Sequence, residues 1–241
     1  MSRRAQILAE LELSPVYVRR NQIADGACVV QPSREGTTAP APRDRSRVET
    51  MDWSQLKAAV VACTRCVLHK ERRQTVFGVG DEQAEWLFVG EGPGAEEDAR
   101  GEPFVGQAGK LLDNMLGAIA LKRGENVYIA NVVKCRPPGN RTPLPEEAQA
   151  CEGFLARQIA LIQPRLIVAL GKVAAQNLLG SEATIASLRG RLHQYRDTPL
   201  IVTYHPAYLL RNLTDKARAW EDLCLAVETM RALKASAPVP K

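Results

Sequence analysis

The chain has 241 residues, 45% of them hydrophobic and 24% charged, with a formal net charge of +5 and a pI near 9.0. That supports one domain of ordinary size plus a tail, and the modest positive balance suits a nucleic-acid partner without demanding one. The longest apolar runs end in Gly, Lys or His, far short of the roughly 20 residues that a bilayer needs, and Glu10 and Glu12 break any signal-peptide core. The expectation is a cytoplasmic protein with reduced thiols, in which six cysteines point to metal or redox chemistry rather than disulfides.

In chain order, residues 1–20 read as a short helix and a turn. Residues 21–50, including QPSREGTTAPAPRDRSR, are too rich in Pro, Ser, Thr, Arg and Gly to bury a core and read as a disordered linker. A folded domain is predicted over 51–235, with a frayed tail at 236–241. Four short apolar runs within the domain have the pattern of buried parallel strands: Trp86–Gly90, Val127–Val133, Leu166–Leu170 and Leu200–Tyr204. Helical spacing lies between and after them at Gly109–Ala120, Pro145–Ile162, Lys172–Leu179 and Ala217–Leu233. The alternation predicts an α/β fold, a three-layer α/β/α sandwich around a central four-stranded parallel sheet. In such folds the ligand sits outside the carboxyl ends of the strands. Three strands end there in polar or Gly-rich segments: GEGPG, NVVKC and YHP.

The cysteines divide by context. Cys63 and Cys66 form a C-x2-C pair, and Cys135 and Cys151 have 15 residues between them. Four thiolates suit a [4Fe–4S] cluster or a tetrahedral zinc. The second pair lacks zinc-ribbon spacing, and the two converge only if the intervening PPGNRTPLP segment folds back; unrelated buried cysteines are the alternative. Cys28 falls in the linker. Cys224 shares a helical face with Trp220 and Val227 and reads as core.

At the strand ends, Gly90-Glu91-Gly92-Pro93-Gly94 allows close backbone approach to a ligand, and Glu91 either holds a water or caps a helix. Asn131 lies inside an apolar strand, where an amide needs partners; its donor and acceptor match a pyrimidine edge, and a satisfied structural Asn is the alternative. Phe104, in a loop between Gly101 and Gly106, either stacks on a base or anchors the core. His205, after the last strand at the mouth of the sheet, either donates a hydrogen bond to a developing anion or is structural. Lys134 and Lys172 read as phosphate contacts or solvated charges.

The segments GEGPGAEEDARGEPFVGQAGKLLD, NVVKCRPPGNR and HPAYLLRN, with the four spaced cysteines, closely resemble the family 4 uracil-DNA glycosylases over nearly all of residues 52–230. The resemblance implies an α/β/α domain with a [4Fe–4S] cluster on Cys63, Cys66, Cys135 and Cys151. It implies removal of uracil from single- or double-stranded DNA, leaving an abasic site, by a monomer. By similarity, Glu91 and the Gly92 backbone handle the attacking water, Phe104 stacks on the flipped uracil, and Asn131 reads its O4 and N3 edge. His205 stabilises the O2 side of the leaving anion, Glu97 crowds C5 against thymine's methyl, and Leu209 fills the gap left by the base. Ala95 departs from the charged residue that many members carry after GEGPG. A related subgroup that binds uracil-DNA covalently carries GEQPG and a KRRIH insertion; this chain has neither, which implies turnover. Residues 1–20, apolar at Ile7, Leu8, Leu11 and Leu13, resemble the N-terminal peptide of the bacterial replicase psi subunit, which implies a replication or repair partner for the tail; a helix packing back on its own domain is the alternative.

Overall fold

The computed structural model describes residues 47–236. The helix expected in residues 1–20, most of the linker with Cys28, and residues 237–241 lie outside the described residues. Packing starts earlier than the sequence suggests. Val48, read as linker, is 3% exposed and joins the core beside Met51 and Trp53. It precedes α1 (Trp53–Val61), which Asp52 and Gln55 open with reciprocal side-chain and backbone hydrogen bonds.

The remaining elements are β1 (Val79–Gly80), β2 (Trp86–Gly90), α2 (Ala95–Arg100), α3 (Gln107–Ala118), β3 (Val127–Asn131), α4 (Pro145–Ile162), β4 (Leu166–Leu170), α5 (Lys172–Leu179), α6 (Ile185–Leu188), β5 (Leu192–Tyr195), β6 (Thr198–Thr203), α7 (Pro206–Leu209) and α8 (Lys216–Ala235). The four predicted strands are present, but they are not the whole sheet. It has six strands in the order β1-β3-β2-β4-β6-β5. Neighbours among β3, β2, β4 and β6 run parallel, whereas β1 and β5 pair antiparallel at the two edges. The sheet is therefore mixed, which corrects the expectation of a four-stranded parallel one. The edge strands escape a search for apolar runs because β1 is two residues long and β5, LHQY, alternates exposed and half-buried positions.

Side chains alternate across the sheet. Leu87, Val89, Ile167 and Ala169 join Leu155, Ile159 and Ala174 from α4 and α5 in one core. Trp86, Phe88, Leu166 and Val168 join Leu112, Leu116, Ala226 and Met230 from α3 and α8 in the other. Every residue of β2, β3 and β4 is buried, as strands covered by helices on both faces must be. On α8 the buried stripe is Ala219, Asp222, Leu223, Ala226 and Met230. Cys224 lies beside it and is half-buried, and Trp220 is 48% exposed, so the core role expected of that face is corrected. The stripe is displaced because Asp222, a residue that reads as solvated, is drawn inward by Arg189 Nε (3.1 Å) and the Gly190 N–H (3.0 Å).

β2 lies between β3 and β4, so the chain leaves β2 on one side and returns on the other. A crevice opens outside the carboxyl ends of the strands at such a reversal. Register brings the right residues to it: Gly90 pairs with Asn131, and Leu170 with Thr203, two residues before His205.

Candidate active site

The crevice is a cleft of about 540 Å³ whose walls include Glu91, Gly92, Glu97, Phe104, Asn131 and His205. The structure thus brings together six of the residues singled out in the sequence. Asn131 ends β3 and is 2% exposed, and its Oδ1 has no hydrogen-bond partner. Leaving a buried acceptor unmet costs about 1–3 kcal/mol, so the position is a poor structural choice and a good one for meeting a ligand N–H.

Phe104 closes the other wall. It is 6% exposed and has a left-handed backbone, with φ of 55°. Arg123 holds that conformation by donating to the carbonyls of Pro103 (2.9 Å) and Phe104 (2.8 Å). Gly109 permits the approach of α3, since a Cβ there would overlap the Phe104 carbonyl. Gly90 is equally constrained: a Cβ would lie 2.5 Å from Asn131 Oδ1 and 2.6 Å from the Phe104 ring. The ring stacks on His205 with centroids 5.4 Å apart.

His205 caps the N-terminus of α7, its Nδ1 accepting from the Ala207 N–H at 3.1 Å. That partner assigns the proton to Nε2. Burial, with the charge of Arg211 nearby, pushes the imidazole pKa down to about 4. The ring is therefore a neutral donor at neutral pH. Burial pushes the Glu91 carboxyl up from its ordinary value, while the Thr142 hydroxyl donates to it and opposes the rise. Glu97 has a structural task that the sequence does not show. Its carboxylate accepts from the N–H groups of Gly94 (3.1 Å), Val105 (3.0 Å) and Gly106 (3.2 Å), tying the GEGPG turn to the Phe104 loop.

Two placements differ from expectation. Leu209 is 1% exposed and packs with Tyr204 and Ala219, whereas the next residue, Leu210, is 42% exposed. Side chains on a helix turn by about 100° per residue, so anchoring α7 with Leu209 turns Leu210 outward. Lys134 is not a surface contact. It is 1% exposed, and its ammonium donates to the Asn131 carbonyl (2.8 Å) and Gln158 Oε1 (2.6 Å). Burial pushes its pKa down to about 8, against the opposing charges of Cys151 and Cys135. Lys172 is exposed at the cleft wall, as a solvated charge should be.

Cys63, Cys66, Cys135 and Cys151 line a second, smaller cavity together with Arg65, Arg72, Lys134 and Phe154. The segment between Cys135 and Cys151 does fold back. Gly139 and Asn140 take left-handed conformations (φ of 62° and 56°), Arg136 Nε donates to Asn140 Oδ1 at 2.7 Å, and Arg141 grips the carboxylate of Glu147 through two hydrogen bonds of 2.8 and 2.6 Å. Donors face the sulfurs: Arg72 Nη1 lies 3.1 Å from Cys135 Sγ, and the N–H groups of Leu68 and Lys134 donate to Cys66 and Cys151. Burial pushes the thiols of Cys66 and Cys135 up, and that of Cys151 up to about 12. Arg65 stacks 4.1 Å over the Phe154 ring, and its Nε and Nη2 are buried without a partner. Among the described residues, no three Cys, His, Asp or Glu side chains are set to hold a single metal ion. Sequence reading missed Arg65, Arg123 and Glu147. Only Arg65 carried a signal, since it lies within the C-x2-C pair.

The fold and the cleft define an α/β protein with a ligand site at the switch point of its sheet, walled by Phe104, Asn131 and His205. The chain belongs to the uracil DNA glycosylase superfamily, whose family model matches residues 77–224. It is 49% identical over 159 residues to a type-4 uracil-DNA glycosylase of Archaeoglobus fulgidus, covering 63% of this chain and 79% of that one. A type-4 uracil-DNA glycosylase of Thermotoga maritima is 48% identical over 161 residues (66% and 83%), and one of Pyrobaculum aerophilum 42% identical over 183 residues (73% and 93%).

Proposed function

We infer that this chain is a uracil-DNA glycosylase that hydrolyses the N-glycosidic bond of a uracil flipped out of DNA, leaving an abasic site. The buried, unpartnered Oδ1 of Asn131 carries the reading. It lies beside Phe104 and His205, where uracil's N3–H would supply the missing donor. The substrate base is unreachable inside a duplex, and flipping it costs a few kcal/mol. Stacking on Phe104 and the hydrogen bonds of the cleft offset that cost. Cleavage builds negative charge on the departing base, and the neutral His205 donates to it from Nε2 without first losing a proton to solvent. Glu91, made more basic by burial, orients and deprotonates the attacking water with help from the Gly92 backbone. Glu97 guards the C5 side while holding its two loops together. The gap left in the DNA is filled by Leu210, the exposed side chain of its turn, rather than Leu209.

The residues of the second cavity fit a [4Fe–4S] cluster. Such a cluster takes one thiolate per iron, so its ligands ring a cavity instead of meeting at one ion. Three donors already face the sulfurs, and the orphaned guanidinium of Arg65 offers more. Cys63, Cys66, Cys135 and Cys151 would hold the group, and when bound it would supply iron–sulfur bonds that tie the cysteine loops together. Lys134 is engaged behind Asn131 and does not reach the cleft as a nucleophile.

The test is incubation of the purified protein with an oligonucleotide carrying one uracil. Free uracil should appear, and strand scission should require subsequent alkali. No uracil release under single turnover would overturn the reading; scission without alkali would overturn its hydrolytic, lyase-free form.

A further inference from the structure

Lys134 belongs to both sites. It lines the cysteine cavity, its backbone N–H donates to Cys151, and Cys135 is the next residue. Its ammonium reaches back three residues and donates to the carbonyl of Asn131, the last residue of β3. Gln158 on α4 fixes the same ammonium at 2.6 Å and is itself held by its amide on the Phe77 carbonyl at 2.9 Å. An ammonium 1% exposed among apolar strands is an expensive way to cap a strand end. Ser, Thr or water would satisfy one carbonyl at less cost. A buried cation is favoured where negative charge lies near, and Cys135 and Cys151 would carry such charge as the thiolate ligands of a cluster.

We propose that Lys134 is a positioning residue through which the cysteine site holds Asn131 in its uracil-reading posture. This rests on the assignment of Asn131 to the reading of uracil. With the cysteine sulfurs on one side and the Asn131 carbonyl on the other, the ammonium fixes the end of β3. The direction of the Asn131 side chain follows from that of its backbone. Loss of the ammonium leaves the carbonyl and Gln158 Oε1 without a donor and frees the peptide to turn, and a small misplacement of an aligning group is enough to slow chemistry.

The experiment is a double-mutant cycle on the protein as purified, with Lys134→Met, Asn131→Ala and the pair, read by single-turnover uracil release, KM for DNA and visible absorption. Lys134→Met should slow release by about 10- to 100-fold, leave KM for DNA and the visible absorption unchanged, and add nothing to Asn131→Ala. A wild-type rate in Lys134→Met would overturn the proposal. So would a double variant slower than Asn131→Ala by the full Lys134→Met factor, because Lys134 would then act independently of Asn131. Should the Met variant precipitate or lose its colour, Lys134→Leu, which also removes the donor, is taken through the same cycle with the same criteria. Failure of the underlying reading is seen separately: Asn131→Ala at the wild-type rate removes the role of Asn131 and this proposal with it, whatever Lys134 does.

Discussion

In the cleft the unpartnered buried atom is an acceptor, Asn131 Oδ1; in the cysteine cavity the unpartnered atoms are donors, Nε and Nη2 of Arg65. The cleft is larger, about 540 Å³, and mixes the carboxylates Glu91 and Glu97 with Arg141, Lys172 and Arg211, a neutral imidazole and an aromatic ring. The cysteine cavity is smaller, walled by Val60 and Phe154, and its charged lining is cationic: Arg65, Arg72 and Lys134. An acceptor left open calls for a neutral ligand with an N–H, while donors left open call for an anion. The same folding cost, an unmet buried polar atom, thus reports the polarity of what each site takes. One is suited to a base that comes and goes, the other to a resident group bearing negative charge.

The contrast breaks most readily at the sulfurs. Cys135→Ser or Cys151→Ser should abolish the visible absorption of the purified protein and its content of about four iron per chain, and should lower the thermal midpoint sharply. Stoichiometric zinc and colourless wild-type protein would end the cluster assignment. Asn131→Ala should slow uracil release by about 10²–10³ while keeping full colour; loss of colour with loss of rate would show that the two cavities are not separable in this way. Arg65→Met retains the stacked volume and removes the donors. It should weaken retention of iron against a chelator by about 10- to 100-fold, and unchanged retention would mean that the Arg65 donors face nothing anionic. The pH profile changes least. Single-turnover release should fall on acidification through the raised range of Glu91, since the base must be ionised, and should show no step near pH 6.5, because His205 stays neutral down to about 4. A limb with its midpoint at an ordinary histidine pKa would mean that water reaches His205 freely.

How much of this is legible in the sequence depends on what each residue must satisfy. The four central strands are readable because burial on both faces demands continuous apolar runs, and Pro145–Ile162 and Lys172–Leu179 match their predicted bounds because periodicity and flanking Pro or Gly agree. Edge strands β1 and β5 answer to hydrogen bonding more than to burial and leave no such trace. In the site, Asn131, Phe104 and His205 stand out as misfits in their local sequence, a polar residue in a strand, an aromatic in a Gly-rich loop and an imidazole before a proline. The burial of Lys134 is not legible because charge normally means exposure. Its partner, the Asn131 carbonyl, is a backbone group that no side-chain pattern announces. Leu209 and Leu210 could not be told apart until the turn of α7 set which one faces the core.

The segment between Cys135 and Cys151 supplies much of one rim of the cleft, through Pro137, Asn140, Arg141, Thr142 and Pro143. It is held by its own bonds, with Arg136 on Asn140, Arg141 on Glu147, and Glu147 also accepting the Leu144 N–H at 2.8 Å. A free segment of this size would lose about 1–2 kcal/mol of backbone entropy per residue on ordering. Here that loss is met once, when the chain folds, and not again at each encounter with DNA. The rim is therefore shaped by the fold itself, which lowers the ordering cost that a ligand's docking would otherwise carry.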